Sequence, residues 1–555
     1  MSETRARVLI IGAGCSGMAA AYSFSLEPSK FKVTICDKVQ NVGGSATSYE
    51  LEDRNKFGAE YINDGVQGAS PVFYNTLSMF ENILGFRASN VGMQISFGKG
   101  KESFWTNVFP SELVENYHDD IKKFGKVLQI IGRFEPIFAL IPVDKMLKMF
   151  GFSPSFGDRM VYPLVALFFG TGNETKHISS AILERVFLDP SMRLFEFSQD
   201  SLLASIPLMK AFPELGRVYG AFKSKVMSNG NVKIFTSREV TSVERGTKKA
   251  KEMGGNILAT YDNSDFFESF DDVIFACEAD NALKILESGS GATWREKKVL
   301  GNVLYKWDVT VTHNDLNYMR KHYQVTYDSQ YFAQRDDENS KKAFKFAEKN
   351  WKPLYLIKMY EQDPSQIEMS FDLTHYQAQF EGMPPVGSDA DIKAEDAPPT
   401  ERQAGSEGKE NAKGVDSDGL VDVQNKELPS LENHVYQTIY LDRDASERWT
   451  KDEVASDKII LEKWWKQQSH RWQHYGGTVP WMWTINGRNN THYAGAWTLV
   501  NMHEVAMVSG FAAAYQLGAP YPFKQDENCA RLFRLYLLLA HMSRMRGEDR
   551  KGMFS

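Results

Sequence analysis

The alternation of apolar and polar positions divides the chain into recognisable pieces. Val8 to Ile11 is an unbroken β-branched apolar run, the pattern of a strand buried on both faces of a parallel sheet. "FKVTICD", ending at Asp37, predicts a second strand, and Val232–Arg245 alternates as strands do. Asp271–Leu286 reads as a strand turning back into a helix, and Arg488–Gly518 as a short strand, an Ala-Gly turn and a helix rich in small residues. Phe73–Glu214 looks mainly helical, with apolar stretches such as "MVYPLVALFFG". Leu300–Trp483 is richer in strands, for example "VLYKWDVTVTH". Within it, Glu381–Gly419 is Pro-, Gly-, Ser- and charge-rich with almost no large apolar residue; it cannot bury enough to offset its ordering entropy and predicts a disordered surface loop. Ala530–Lys551, inside a terminal segment 526–555, predicts an apolar helix carrying Arg531, Arg534, Arg544 and Arg546. It is expected either to dock on the protein's own body or to lie on a membrane surface. No internal repeat is present.

Bulk properties narrow the class. At 555 residues the chain needs two or three packed units. A net charge of -7 argues against a general nucleic-acid binder. The four cysteines, Cys15, Cys36, Cys277 and Cys529, show no paired spacing, so neither a disulfide framework nor a zinc or other metal site is expected. The start runs directly into a strand without a secretory signal pattern, and no apolar run approaches the ~20 residues needed to span a bilayer. A reduced, cytoplasmic protein is expected, peripheral on membranes at most.

The first strand leads into Gly12, Gly14, Gly17 and Ala21. Gly12 permits a tight turn, Gly14 lets backbone approach a pyrophosphate, and Gly17 and Ala21 let a helix pack closely on a sheet. The helix start, with Cys15 and Ser16, offers free N–H groups and the positive end of a dipole to phosphates. Asp37 ends the second strand about 20 residues after Gly17, where a carboxylate accepts bonds from ribose hydroxyls. Lys38 joins the candidate set beside it. No second strand-GxGxxG-helix occurs: "FFGTGNE" and "ESGSGAT" lack the spacing.

Shortly after Asp37, "VGGSATSYE" places Gly43, Gly44 and Ser45 as the extended motif of glutathione-reductase-like FAD proteins does, and the chain resembles them here. The C-terminal stretch resembles flavoproteins of the amine oxidase and phytoene desaturase type: Ala494-Gly495, then Glu504 in the first turn of a helix, then Ser509-Gly510. The start of that helix can stabilise negative charge on a reduced flavin, and Gly510 lets the helix approach the first one. Ala496 stands where an acid is usual, which removes one contact to the ribityl or pyrophosphate part. Val240 falls where such proteins place a backbone contact to adenine. "YAGAWT…NMHEVA…SG", with "VGGSAT", "FGAEYIND" and "INGRNNTHYAGAW", is similar to bacterial NAD/FAD-binding flavoproteins associated with fatty-acid modification. Ser45 and Lys56 depart from that branch, which has His and Asp there.

The resemblance implies an α/β fold: a discontinuous glutathione-reductase-like Rossmann FAD domain (1–66, 216–287 and 484–525) and an α+β substrate domain (73–214 and 300–483). It implies non-covalent FAD and an oxidoreductase passing hydride from a small molecule, of a fatty acyl or other lipid-like kind, to flavin N5. A redox-neutral double-bond isomerase is the alternative. A non-catalytic lipid carrier, as in Rab GDP-dissociation inhibitors, is a third reading. His503 is the candidate proton carrier and Trp497 the candidate pocket wall. Trp464, Trp465, Trp472, Tyr475, Trp481 and Trp483 are candidate channel aromatics, the last pair sharing a face if their segment is a strand. His313 with Asp315, and His375 with Tyr376, are expected to be structural. Oligomeric state is not legible.

Overall fold

A computed structural model describes residues 5–549 apart from 170–171, 191, 263–265, 332, 334, 336 and 382–427. The expected loop at Glu381–Gly419 lies outside the described residues except for Glu381, and so does the end of the C-terminal segment beyond residue 549.

In chain order the elements that matter are β1 (Ala6–Ile11), α1 (Cys15–Ser25), β2 (Phe31–Cys36), α2 (Tyr74–Ser78), β3 (Gln94–Phe97), α3 (Leu215–Met227), β4 (Val232–Phe235) and β5 (Val240–Arg245). Then come β6 (Ile257–Tyr261), β7 (Phe267–Phe270), β8 (Asp272–Phe275), α4 (Ala279–Glu287), β9 (Tyr305–His313), β10 (Pro353–Met359), β11 (Ile367–Asp372) and β12 (Tyr436–Tyr440). The chain closes with β13 (Ile459–Gln468), β14 (Thr491–Tyr493), α5 (His503–Gln516) and α6 (Glu527–His541).

Five strands form one parallel sheet in the order β4-β2-β1-β8-β14. Three stretches far apart in sequence therefore share one sheet, and the order reverses beside β1, where doubly wound sheets open a crevice at the strand ends. Both helices nearest that crevice are apolar on all sides. Every residue of α1 and every residue from Glu504 to Tyr515 of α5 is buried, so small side chains replace the usual amphipathic stripe. The two helices touch closely: a Cβ on Gly510 would lie 2.0 Å from the Ser16 carbonyl oxygen and 3.0 Å from the Ala19 Cβ. An antiparallel meander, β5-β6-β7, completes this half.

The second layer is a six-stranded sheet in the order β13-β9-β12-β11-β10-β3. Its pairs are antiparallel except β10 with β3. The α/β class and the Rossmann-like sheet with a second, mixed unit are thus as expected. One local expectation is corrected. Trp481 and Trp483 do not alternate on a strand but sit on a 3-10 turn, Val479–Thr484, and are 51% and 37% exposed. Pro480 sets a helical φ and has no N–H for a ladder, so it starts a turn instead.

Helix α6 buries Cys529, Ala530, Leu532, Phe533, Tyr536, Leu537 and Ala540. Phe533 stacks on Tyr521 with centroids 3.8 Å apart, and the Thr498 and Tyr536 hydroxyls lie 2.7 Å apart. Its apolar face is therefore docked on the body; Leu538 and Met542 remain exposed. Among the described residues no helix is long and apolar enough to cross a membrane.

His313 is fully buried and satisfied: Nε2 lies 2.9 Å from Thr438 Oγ1 and Nδ1 accepts the Asp315 N–H at 3.2 Å. Burial lowers its pKa to about 4, and does the same for the buried His474 and His492. An unfolded histidine titrates near 6.5, so between about 6.5 and 4 the unfolded chain binds more protons than the folded one. Stability is expected to be full above this window and to fall as pH drops through it. Thermal melts from pH 8 to pH 4.5 check this; His313→Asn should flatten the profile, and an unchanged slope would assign the loss to other groups.

Candidate functional site

The glycines of the first turn divide by what requires them. Gly12 has φ +108, and a Cβ there would lie 2.5 Å from the Ala276 carbonyl oxygen on the neighbouring strand. A Cβ on Gly17 would lie 1.9 Å from the Gly12 oxygen. Both are demanded by the fold itself. Gly14 is not. Its backbone is extended, and a Cβ there would meet only Gly44, at 3.8 Å. No side chain caps α1, and its first turn contains no acid. The start of α1 is thus an open cradle of backbone N–H groups with the positive dipole end behind it.

The double glycine forms the facing lip. The Gly43 N–H donates to the Ala13 carbonyl at 2.9 Å, and Gly43 bridges Gly14 in parallel register. Gly43 and Gly44 have φ +116 and +63. Gly44 and Ser45 are exposed. The Asp37 carboxylate accepts the Ala13 N–H at 2.6 Å and the Val39 N–H at 3.0 Å, fixing it over the turn; Lys38 is exposed. The Arg238 N–H donates to the Asp37 carbonyl at 2.8 Å, bringing the start of β5, and so the buried Val240, beside the end of β2.

The C-terminal turn closes the same crevice. Gly495 has φ +150, its N–H donates to Ser509 Oγ at 2.9 Å, and its carbonyl accepts the Thr498 hydroxyl at 2.7 Å. Ser509 Oγ lies 3.4 Å from Ser16 Oγ, joining the turn to α1. Trp497 is buried and donates Nε1–H to the Cys277 carbonyl at 2.9 Å. Ala496 begins the short 3-10 turn and is part-exposed.

Glu504 and His503 face other neighbours. The buried Glu504 carboxylate accepts from the Asn75 N–H, the Asn75 side-chain amide and the Thr76 N–H, each at 2.8 Å. It caps α2. His503 has a partner at each ring nitrogen: the Tyr219 hydroxyl 2.8 Å from Nε2 and the Thr76 hydroxyl 3.0 Å from Nδ1. Cys15 Sγ lies 3.7 Å from Nδ1. Phe80 packs edge-on against the imidazole at 5.5 Å. Burial lowers the His503 pKa to about 4 and raises that of the Cys15 thiol to about 12, so both are neutral near pH 7.

Sequence reasoning named Trp464 and Trp465 on β13 but missed Lys463 and the polar groups around it. Lys463, Trp465 and Gln467 alternate on one face of that strand. Lys463 Nζ lies 2.7 Å from Asp64 Oδ2, 2.9 Å from Thr47 Oγ1 and 4.3 Å from the Trp465 ring centre. Asp64 is buried and also accepts the Thr47 hydroxyl at 2.7 Å. A Cβ on Gly65 would touch both the Ser45 oxygen and Trp465. At the strand's other end the Asn501 amide lies 3.3 Å from Gln467 Oε1. One strand face thus runs from the double-glycine loop to the residues before α5. The period-2 pattern around Lys463 was the available signal; nothing local marks the lysine itself.

Residues 10–78 match the family model of the NAD(P)-binding Rossmann-like domain. No curated protein matches the chain. Solved structures do, at low identity. The CLA-producing fatty acid isomerase of P. acnes is 13% identical, with TM-score 0.52 over 91% of this chain and 97% of that one. Putrescine oxidase bound to putrescine is 12% identical, with TM-score 0.53 over 93% and 100%. Cyclohexylamine oxidase from Brevibacterium oxydans is 10% identical, with TM-score 0.51 over 93% and 100%. The N-terminal unit thus matches the NAD(P)-binding Rossmann-like domain, and along nearly its whole length the chain shares the fold of putrescine oxidase and cyclohexylamine oxidase.

Proposed function

We propose that the protein is a flavin-dependent oxidoreductase that holds FAD without a covalent link. The observation that carries this is Gly14, a glycine that the fold does not need, at an uncapped helix start facing a second glycine loop. Space kept clear of side chains beside free N–H groups suits a pyrophosphate. In this reading the pyrophosphate lies against Gly14, Cys15, Ser16 and Gly44, the ribose against Asp37, and the adenine end toward Val240. The other end lies along Ser45, Gly495, Ala496 and the start of α5. FAD supplies a hydride acceptor when bound.

The chain's own groups then have separable tasks. The start of α5 favours negative charge gathering in front of it. Trp497 walls the turn. Neutral His503, tied to Tyr219 and Thr76, orients its surroundings and is a positioning residue. Lys463, on the β13 wall, holds or moves a proton next to the double-glycine loop. Lys463→Met is expected to lower turnover about 100-fold with FAD content unchanged; Asp64 keeps the Thr47 hydroxyl as a partner. Wild-type turnover in that variant would remove Lys463 from the chemistry.

A lipid-like substrate is the finer reading, supported by the motif resemblance and by the fold shared with the fatty acid isomerase. That likeness also favours a second outcome, a redox-neutral double-bond shift. The test is the visible spectrum of the purified native protein, recorded anaerobically before and after an unsaturated fatty-acid mixture is added. Bleaching of an oxidised-flavin band supports net oxidation. A lasting band with new conjugated-diene absorbance and unchanged product mass supports isomerisation. No flavin, even after reconstitution, overturns the enzyme reading.

A further inference from the structure

Asp372, His375 and His434 meet in the interior, although His434 follows the other two only after the Glu381–Gly419 stretch. Asp372 ends β11, and its Oδ1 accepts the His375 N–H at 3.2 Å, starting a short helix, Leu373–Tyr376. Its Oδ2 lies 2.8 Å from His434 Nδ1 and 3.1 Å from His375 Nδ1. Asp372 and His434 are 3% and 2% exposed. The imidazole rings are perpendicular, with centroids 4.8 Å apart, and one donor atom from each residue lies within 4.8 Å of the others. The Pro353 carbonyl oxygen lies 3.2 Å from His375 Nδ1.

Proton accounting singles out His434. Its Nε2 lies 3.1 Å from the Pro429 carbonyl, which can only accept, so Nε2 carries the hydrogen. Its Nδ1 faces an Asp372 carboxylate oxygen 2.8 Å away, so a proton or a metal ion lies between the two atoms. A backbone carbonyl that fixes the tautomer and frees the opposite nitrogen is the outer partner that metal-bound histidines use. Two imidazole nitrogens and a carboxylate oxygen suit zinc and similar ions. The two oxygen–nitrogen separations, 2.8 and 3.1 Å, are slightly shorter than the about 3.3 Å edge of a tetrahedron with zinc-length bonds, so those atoms must move slightly outward to admit the ion.

We propose that Asp372 Oδ2, His375 Nδ1 and His434 Nδ1 bind one divalent transition-metal ion of the imidazole-preferring class. The ion clamps the end of β11 to the segment entering β12. It thereby ties together two segments 62 residues apart in sequence, whatever reaction the flavin-type site performs.

The test uses the full-length protein, stripped with a chelator and titrated with Zn2+ by calorimetry and with Co2+ by visible absorption. One tight site and a Zn2+-dependent rise in melting temperature are expected. His375→Gln and His434→Gln should each weaken Zn2+ binding by about 100-fold or more and abolish the rise. Binding that is equally tight and stoichiometric in both variants overturns the proposal. So does a folded wild type that takes up no Zn2+ and holds His434 as a buried imidazolium by NMR. Should the variants not fold, X-ray absorption at the zinc edge of the loaded wild type decides. Two imidazoles with oxygen support the site, and sulfur or a single imidazole overturns it.

Discussion

Gly14→Val protein is expected to fold as the flavin-free wild type does, with the same melting temperature, and to carry no FAD. The two halves of this result have different causes. The Gly14 backbone lies in the extended region that any residue adopts, and its Cβ would find only Gly44 at 3.8 Å, so neither the backbone nor the Cβ is strained. The isopropyl group would instead fill the gap between the α1 start and the double-glycine loop, where the pyrophosphate is proposed to lie. Flavin absorbance per protein, together with a thermal melt of both apo forms, reads the two halves separately. A variant that keeps its flavin sinks the assignment of this turn. A variant that unfolds would mean that the fold itself needs the glycine. Gly17→Val is the contrast: its Cβ would lie 1.9 Å from the Gly12 oxygen, so it is expected to fail whether or not FAD is present.

Gly510→Ala is expected to cost about 3 kcal/mol of stability, measured by denaturant unfolding of the flavin-free protein. One methyl group is enough because α1 and α5 touch at this point. The new Cβ would sit 2.0 Å from the Ser16 carbonyl oxygen, which is backbone and cannot rotate away. The helices must part, and the Gly495–Ser509–Ser16 bonds that join the C-terminal turn to α1 stretch with them. Gly220→Ala in α3 is the internal control. Nothing lies within 4 Å of its Cβ, so helix propensity alone should act and stabilise by up to ~1 kcal/mol. Equal and small effects at both positions would show that the two helices do not approach as closely as described here.

Several of these features were readable before any coordinates because they are local. A strand buried on both faces shows an unbroken apolar run, and Val8–Ile11 does. A helix packed on all sides loses its polar stripe and becomes rich in small residues, and both α1 and α5 do. Glycines at positive φ or at close approach leave a fixed spacing, which placed Gly12, Gly43 and Gly495. Turn chemistry overruled periodicity once, at Pro480, where Trp481 and Trp483 left the expected strand.

By itself the sequence determined the Rossmann-like α/β fold, the glycine turn, the double-glycine lip and the Ala-Gly turn that meets them, because each depends on backbone conformation written in neighbouring residues. Tertiary structure alone decided which glycine the fold can spare, since that depends on atoms far along the chain. It also decided that Glu504 caps α2, that His503 is held between Tyr219 and Thr76, and that Lys463 reaches Asp64. Each of these pairs joins elements separated by hundreds of residues or by a change of sheet. The Asp372–His375–His434 cluster is the sharpest case. Asp372 ends β11, His375 stands on the short helix after it and His434 in the segment entering β12, 62 residues beyond Asp372, so the pairing of β11 with β12 is what brings His434 to the other two.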